Sequence, residues 1–294
     1  MWAVIEAGGT KFRCGLADAD GRWLAQTRIA TGAPADTMAA MAGFFRGAAA
    51  QHGPISGIGI ASFGPIDINP HSADYGRFTT TPKPGWPGVR FQDWLAEFAA
   101  PIRLDTDVNA AALAEWQHGA GQGCRTLAYS TIGTGIGTGV LKDGVAQFGM
   151  LHLESGHIPI VRDAARDSFA GCCPYHGDCL EGLASGLAIQ QRWGGTLAQA
   201  GPAALATIAD YLAQLCQSLV LLHMPDRLIL GGGVMATPGL LAAVRAATAR
   251  RLNHYVQSPR LGAGLADYIV APGLGDDAGL LGALALARAA ISLR

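Results

Sequence analysis

Apolar runs that end in glycine recur along this chain: WAVIEAGGT at 2–10, ISGIGIASFGP at 55–65, TLAYSTIGTGIGTGV at 126–140 and RLILGGGV at 227–234. Each predicts a strand that delivers the backbone into a glycine loop. Between them, apolar residues return at helical spacing over 35–52, where Met38, Met41, Phe44 and Phe45 share a face, and over 107–119, 202–224, 238–254 and 276–291. Strands alternating with helices predict α/β layers. The stretch 67–90 shows neither period and is rich in Pro, Gly and Thr, so it predicts a long irregular loop with a purpose of its own. A boundary is expected near residue 105, and the recurring glycine loops hint at an internal duplication.

Composition narrows the class. Of 294 residues 50% are hydrophobic and only 15% charged, enough apolar material for a sizeable core. Lys and Arg (21) balance Asp and Glu (22), so there is no basic footprint for a nucleic-acid backbone, and nucleic acid is not expected as a partner. No signal peptide is visible, and no uninterrupted apolar stretch is long enough to predict a membrane span. Six cysteines are too sparse for a disulfide scaffold, and Cys172, Cys173 and Cys179 cluster beside His176. That pattern reads as a metal site in a reducing cytoplasm.

Three glycine loops carry candidate phosphate chemistry. In Glu6-Ala-Gly-Gly-Thr-Lys11, Gly8 and Gly9 let backbone N–H groups approach an anion, and Thr10 adds a hydroxyl. The alternative is a plain hairpin turn from VIEAGG into FRCGLAD. In Thr131-Ile-Gly133-Thr134-Gly135-Ile-Gly137-Thr-Gly139 the spacing is neither a P-loop nor the dinucleotide fingerprint, and a flexible hairpin is again the rival reading. With Gly231, Gly232 and Gly233 added, a nucleotide clamp explains the set better than unrelated turns.

Leu104-Asp-Thr-Asp-Val-Asn-Ala-Ala-Ala-Leu-Ala-Glu115 runs from a strand end into an Ala-rich helix. Asp105 is read as the helix N-cap. Asp107, at the strand-to-helix crossing, is a candidate base that could take a proton from a sugar hydroxyl attacking phosphorus. His157, Cys173, His176 and Cys179 offer two imidazoles and two thiolates, a set that suits a structural tetrahedral zinc. Cys172 is a rival ligand, and buried unliganded cysteines are the other alternative. Glu154 and Glu181 flank these ligands and would be held by the same site, or are simply solvated carboxylates.

Taken together these motifs resemble the ROK family of sugar kinases, within the actin/hexokinase/Hsp70-like ATPase fold, and most closely its bacterial fructokinase branch. The resemblance spans essentially the whole chain. It rests on E-A-G-G-T-K at 6–11, S-F-G-P-I-D at 62–67, T-T-T-P-K-P-G-W at 79–86, T-D-V-N-A-A-A-L-A-E at 106–115, T-I-G-T-G-I-G-T-G at 131–139, E-S-G-H-I-P at 154–159, C-P-Y-H-G-D-C-L-E-G at 173–182, L-I-L-G-G-G-V at 228–234 and G-L-G-D-D-A-G-L-L-G-A at 273–283.

The resemblance implies a two-lobed actin-like (ribonuclease H-like) α/β fold with an interlobe cleft. One lobe would be residues 1–105, completed by a C-terminal helix at 280–294, and the other 106–279 with a zinc-binding insertion at 154–182. It implies ATP, Mg²⁺ and structural zinc as cofactors, a hexose (fructose foremost) as partner, a homodimer, and transfer of phosphate to the 6-hydroxyl. Gly8 to Lys11 and Thr131 to Gly139 would bind phosphates, and Gly231 to Val234 with the segment from Gly273 would border the adenosine. Asp107 matches the general base. Glu154, His157 and Glu181 match sugar contacts, while Gly64, Pro65, Asp67, Thr81, Lys83 and Trp86 correspond to the sugar-side wall.

Departures point the same way. Glu6 stands where much of the wider fold has Asp, and Thr106 where many ROK glucokinases have Asn. The C-P-Y-H-G-D-C site replaces a three-cysteine pattern. With the first strand predicted from residue 2, the DNA-binding extension of ROK repressors is not expected. Kinases for mannose, glucose, allose or an N-acetyl amino sugar, and a non-catalytic sugar sensor of the same fold, remain the alternatives.

Overall fold

The computed structural model describes residues 1–261 and 263–291. In chain order the first elements are β1 (Trp2–Ala7), β2 (Lys11–Ala17), β3 (Trp23–Ala30), α1 (Pro34–His52), β4 (Gly57–Ser62), α2 (Gln92–Leu95), β5 (Ile102–Thr106) and α3 (Asp107–His118). Then come β6 (Thr126–Ile132), β7 (Ile136–Lys142), β8 (Val145–Ala146), α4 (Leu180–Ala184), α5 (Gly186–Trp193), α6 (Leu197–Ala200), α7 (Pro202–His223), β9 (Arg227–Gly231), α8 (Leu240–Leu252), β10 (Ile269–Val270) and α9 (Ala278–Ala289). The stretch 67–90 carries only isolated bridges, such as Ile66 to Phe78 and Arg77 to Arg90.

Two sheets share one plan. The first has the order β3-β2-β1-β4-β5 and the second β10-β9-β6-β7-β8. In each, an antiparallel hairpin continues into a third antiparallel strand, while parallel strands flank its first strand: β1 with β4 and β5, β6 with β9 and β10. The same connectivity in both halves is what the recurring glycine loops foreshadowed.

The chain divides into two units. The first takes residues 1–114, 147–152 and the chain from Asp276 on, and the second takes 115–146 and 153–275. The division falls inside α3, not at 105, because the first two turns of α3 pack within the first unit: a Cβ at Gly282 of α9 would meet the Ala110 carbonyl. Residues 292–294, the tail of the expected C-terminal helix, lie outside the described residues.

In the first unit the period of two along β1 sorts the core. Ala3, Ile5 and Ala7 face the side occupied by Met38, Met41 and Phe45 of α1, by Phe78 and Trp86 of the long loop and by Phe91 just after it. Val4 faces the other side, with Leu280, Ala283 and Leu284 of α9 and Ala110 of α3. In the second unit β6, β7 and β9 pack on α7 through Ile208, Leu212, Leu215 and Leu219. By length and composition α7 could cross a membrane. Its apolar character is accounted for by burial, since nine of its residues belong to that core.

Candidate functional site

In the first unit, Asp107 is the first residue of α3, directly after β5. The cap of this helix is Thr106, not Asp105 as expected, since the Thr106 Oγ1 accepts the Asn109 N–H at 3.1 Å. The Asp105 Oδ1 instead accepts the Thr106 N–H at 2.8 Å and the Asn109 Nδ2 at 2.6 Å. A cap must stand immediately before the first helical residue, and that place belongs to Thr106. Burial pushes the Asp105 carboxyl above its ordinary range, with the Asn109 and Thr106 hydrogen bonds pulling the other way. Asp107 is half-buried, and its Oδ1 accepts the Val108 N–H at 2.9 Å.

The first glycine loop is the turn of the β1–β2 hairpin, so the plain-turn reading describes its backbone correctly. The Gly8 N–H donates to the Lys11 carbonyl at 2.9 Å, and the Gly8 carbonyl accepts the Thr31 hydroxyl at 2.8 Å. Lys83 reaches from the long 67–90 loop to the Gly9 carbonyl at 2.7 Å. Gly8 is needed for the turn, because a Cβ there would sit 2.9 Å from the Lys11 carbonyl, yet Gly9 has open space and an ordinary φ. Gly9, Thr10 and Lys11 are exposed. At the foot of the loop Glu6 pairs with Arg13 at 3.1 Å, and Arg13 also holds Asp277 at 2.7 Å. Burial raises the Glu6 carboxyl above its usual value, although Arg13 opposes it.

Residues expected to form the sugar-side wall fall into two groups. Gly64 and Pro65 are half-buried at the end of β4, and Thr81 is buried beside Lys83. Trp86 and Asp67, expected in that wall, are both buried. Trp86 is fully buried, donates its indole N–H to the Gly32 carbonyl at 3.1 Å, and packs against Phe12, Phe63 and Phe78. The Asp67 carboxylate is consumed by the loop, accepting the Asn69 N–H and the Ser72 hydroxyl at 2.9 and 2.6 Å. A residue that sequence reasoning passed over, His152, accepts the Ile66 N–H at 3.2 Å.

In the second unit the loop expected over 131–139 is tighter than that. Gly133, Thr134 and Gly135 alone turn the β6–β7 hairpin, and Thr131 and Gly137 belong to the paired strands. Gly133 and Gly233 again have open space and ordinary φ, whereas Gly232 has φ 90° and a Cβ there would strike the Ile132 backbone. Gly231 lies buried at the end of β9, with Gly232 and Gly233 exposed after it. Glu181, at the start of α4, accepts the Ile136 N–H at 2.8 Å, tying it to this hairpin.

His157, Cys173, His176 and Cys179 converge, their ligand atoms all within 4.8 Å of one another. Cys172 is not among them. The Cys173 to Gly177 turn, with both backbone bonds between these residues made and Gly177 at φ 64°, folds Cys173 and His176 together. The His157 Nδ1 lies 3.6 Å from the Cys173 sulfur and 3.5 Å from that of Cys179, and the His176 Nδ1 lies 3.7 Å from Cys173. Bonds of about 2.3 Å to sulfur and 2.0–2.1 Å to nitrogen at tetrahedral angles give sulfur–nitrogen edges of about 3.6 Å. The donor set therefore fits a tetrahedral zinc. The opposite ring nitrogen, His157 Nε2, faces Glu181 at 3.8 Å and Glu154 at 4.0 Å, the carboxylate side a liganding imidazole usually has.

The ROK family model matches residues 2–290. A fructokinase from Zymomonas mobilis subsp. mobilis is 46% identical, covering 99% of this chain and 97% of its own. A fructokinase from Pediococcus pentosaceus is 42% identical over 99% of both. Among solved structures, a ROK family glucokinase from Streptomyces griseus in complex with glucose and AMPPNP superposes with a TM-score of 0.73 at 26% identity, covering 98% of this chain and 99% of its own.

Proposed function

Because the chain belongs to the ROK family, we propose that it is a sugar kinase that transfers the γ-phosphoryl group of ATP to the 6-hydroxyl of fructose. The observation that carries the transfer chemistry is Asp107, a carboxylate on the first residue of a helix that leaves a parallel strand. The near full-length likeness to fructokinases carries the choice of sugar.

In this reading the Asp107 carboxylate accepts the 6-hydroxyl proton as that oxygen bonds to the γ-phosphorus and the bond to ADP breaks. Most of the rate enhancement comes from positioning and charge stabilisation. Gly9, Gly133 and Gly233 support the phosphate-binding assignment, because a glycine that neither φ nor packing requires leaves room for an outside group to approach the backbone. Mg²⁺ would neutralise charge across the nucleotide's phosphates. Glu6 already gives one carboxylate oxygen to Arg13.

Glu154, His157 and Glu181 are assigned to the sugar hydroxyls, with His157, Cys173, His176 and Cys179 as the ligands of a structural zinc that holds them in place. The segment 154–182 serves as the zinc-binding element, and Gly64, Pro65, Thr81 and Lys83 serve as the wall. We place the enzyme in the cytoplasm as a homodimer; its six unpaired cysteines suit a reducing compartment.

The test is ADP release with Mg-ATP and fructose, mannose, glucose, allose or N-acetylglucosamine. Turnover strongest with fructose is expected. Preference for another sugar overturns the specificity, and no turnover by folded, zinc-loaded protein overturns the kinase reading in favour of a sugar sensor.

A further inference from the structure

Glu115, three residues from the end of α3, is completely buried. Among the described residues its carboxylate is met by backbone N–H groups. Oε2 accepts the N–H groups of Ala120 at 2.7 Å and Gly273 at 3.0 Å, and Oε1 accepts that of Leu274 at 2.9 Å. A buried carboxylate is costly unless fully hydrogen-bonded, and here three donors from two separate segments meet the cost.

The junction is built tightly around it. A Cβ on Gly119 would lie 2.1 Å from the Glu115 Oε2, and one on Gly273 would lie 2.8 Å from the Ala120 nitrogen. The Ala120 carbonyl in turn accepts from Arg227 of β9. The loop at 273 is thus held from behind, while Gly273 itself is exposed.

We propose that Glu115 is a positioning residue for the nucleotide, fixing the Gly273–Leu274 backbone against which the adenosine rests. This rests on the nucleotide-binding part of the kinase reading, through the adenosine contact that the family resemblance implies for the segment from Gly273. Gln offers one acceptor oxygen and one NH₂ in place of two oxygens, so Glu115→Gln turns at least one of the three backbone donors onto another donor.

The experiment is calorimetric titration of the full-length, zinc-loaded protein with ADP, in wild type, Glu115→Gln and Gly273→Ala, beside steady-state KM values for fructose and ATP. Hydrogen exchange of the wild-type amides at 120, 273 and 274 is measured with and without ADP. We expect either variant to weaken ADP binding about tenfold, Glu115→Gln by leaving one buried donor unpaired and Gly273→Ala by pushing the loop off the Ala120 backbone, with the fructose KM unchanged. Exchange at 273 and 274 slows on adding ADP.

Folded variants that bind ADP as wild type does, even with a lowered melting temperature, show a merely structural role and overturn the inference. So does exchange that ADP leaves unaltered. Should Glu115→Gln not fold, Gly273→Ala and the wild-type exchange decide. Weakened ADP binding in the variants of a protein that phosphorylates no sugar would sink the kinase reading and leave this inference standing, whereas a wild type that binds no ADP overturns both.

Discussion

The His152 Nε2 accepts the backbone N–H of Ile66 at 3.2 Å, joining residues 86 apart in the chain at a buried point. His152 ends the short run 147–152 that belongs to the first unit, and it lies so close to Gly64 that a Cβ there would sit 3.1 Å from its Nε2. Through this bond one imidazole orders the loop assigned to the sugar. His152→Ala is expected to lower stability by about 1–3 kcal/mol, since it strands the Ile66 N–H, and to raise the KM for fructose. His152→Gln, with an acceptor of similar reach, should recover most of both. Denaturant unfolding beside sugar kinetics checks this; an unchanged fructose KM in the Ala variant counts against it.

Asp107→Asn keeps the shape of the side chain and its acceptor for the Val108 N–H but removes the proton acceptor. We expect kcat to fall roughly 10²–10⁴-fold with the fructose KM little altered. Near-normal turnover in the folded variant would show that Asp107 is not the base.

Zinc analysis of the purified protein should return a single ion per chain, and its removal by a strong chelator should lower the melting temperature. Cys179→Ala should lose the metal, while Cys172→Ala, outside the four-residue group, should keep it. Metal-free protein with full activity and unaltered melting would remove the structural zinc from the picture.

Asp105 supplies a pH test. Its carboxyl is raised above the unfolded value by burial, so the folded protein holds that proton more tightly than the unfolded chain does. Its contribution to stability is therefore greatest at acid pH and is lost as pH rises from about 4 through the raised folded value. Asp105→Asn keeps an acceptor for Asn109 and does not titrate. Its stability relative to wild type should accordingly grow across that window and then level off, measured as unfolding free energy at a series of pH values. A difference that is flat with pH would contradict the assignment.

Backbones in the first unit approach too closely for any side chain. A Cβ on Gly59 of β4 would meet the Ala283 carbonyl of α9, and one on Gly282 would meet the Ala110 carbonyl of α3. Either Gly→Ala change is expected to cost about 3 kcal/mol or more, because backbone cannot step aside as a flexible side chain can. Gly9→Ala, with open space around its Cβ, should leave stability nearly unchanged and act on nucleotide affinity instead.

The sequence by itself determined the layered α/β character, the main strands and helices, and the Cys and His residues that converge. Those signals are local: the period of two that sets Ile5 against Val4, the helical spacing of Met38, Met41 and Phe45, and the short Cys173-to-Cys179 turn that brings ligands together over few bonds. Only the tertiary structure decided what depends on distant partners. β3 and the short helices α4 to α6 went unread, their patterns being too short or too exposed to declare a face. The family resemblance implies that Trp86 and Asp67 border the sugar, yet a cluster of aromatic rings and a Ser72 hydroxyl hold their side chains. His152 and Glu115 carry no motif that marks them, because their partners, the N–H groups of Ile66 and of Gly273 and Leu274, are backbone groups identical in every residue but proline, and only folding says which of them a side chain will meet.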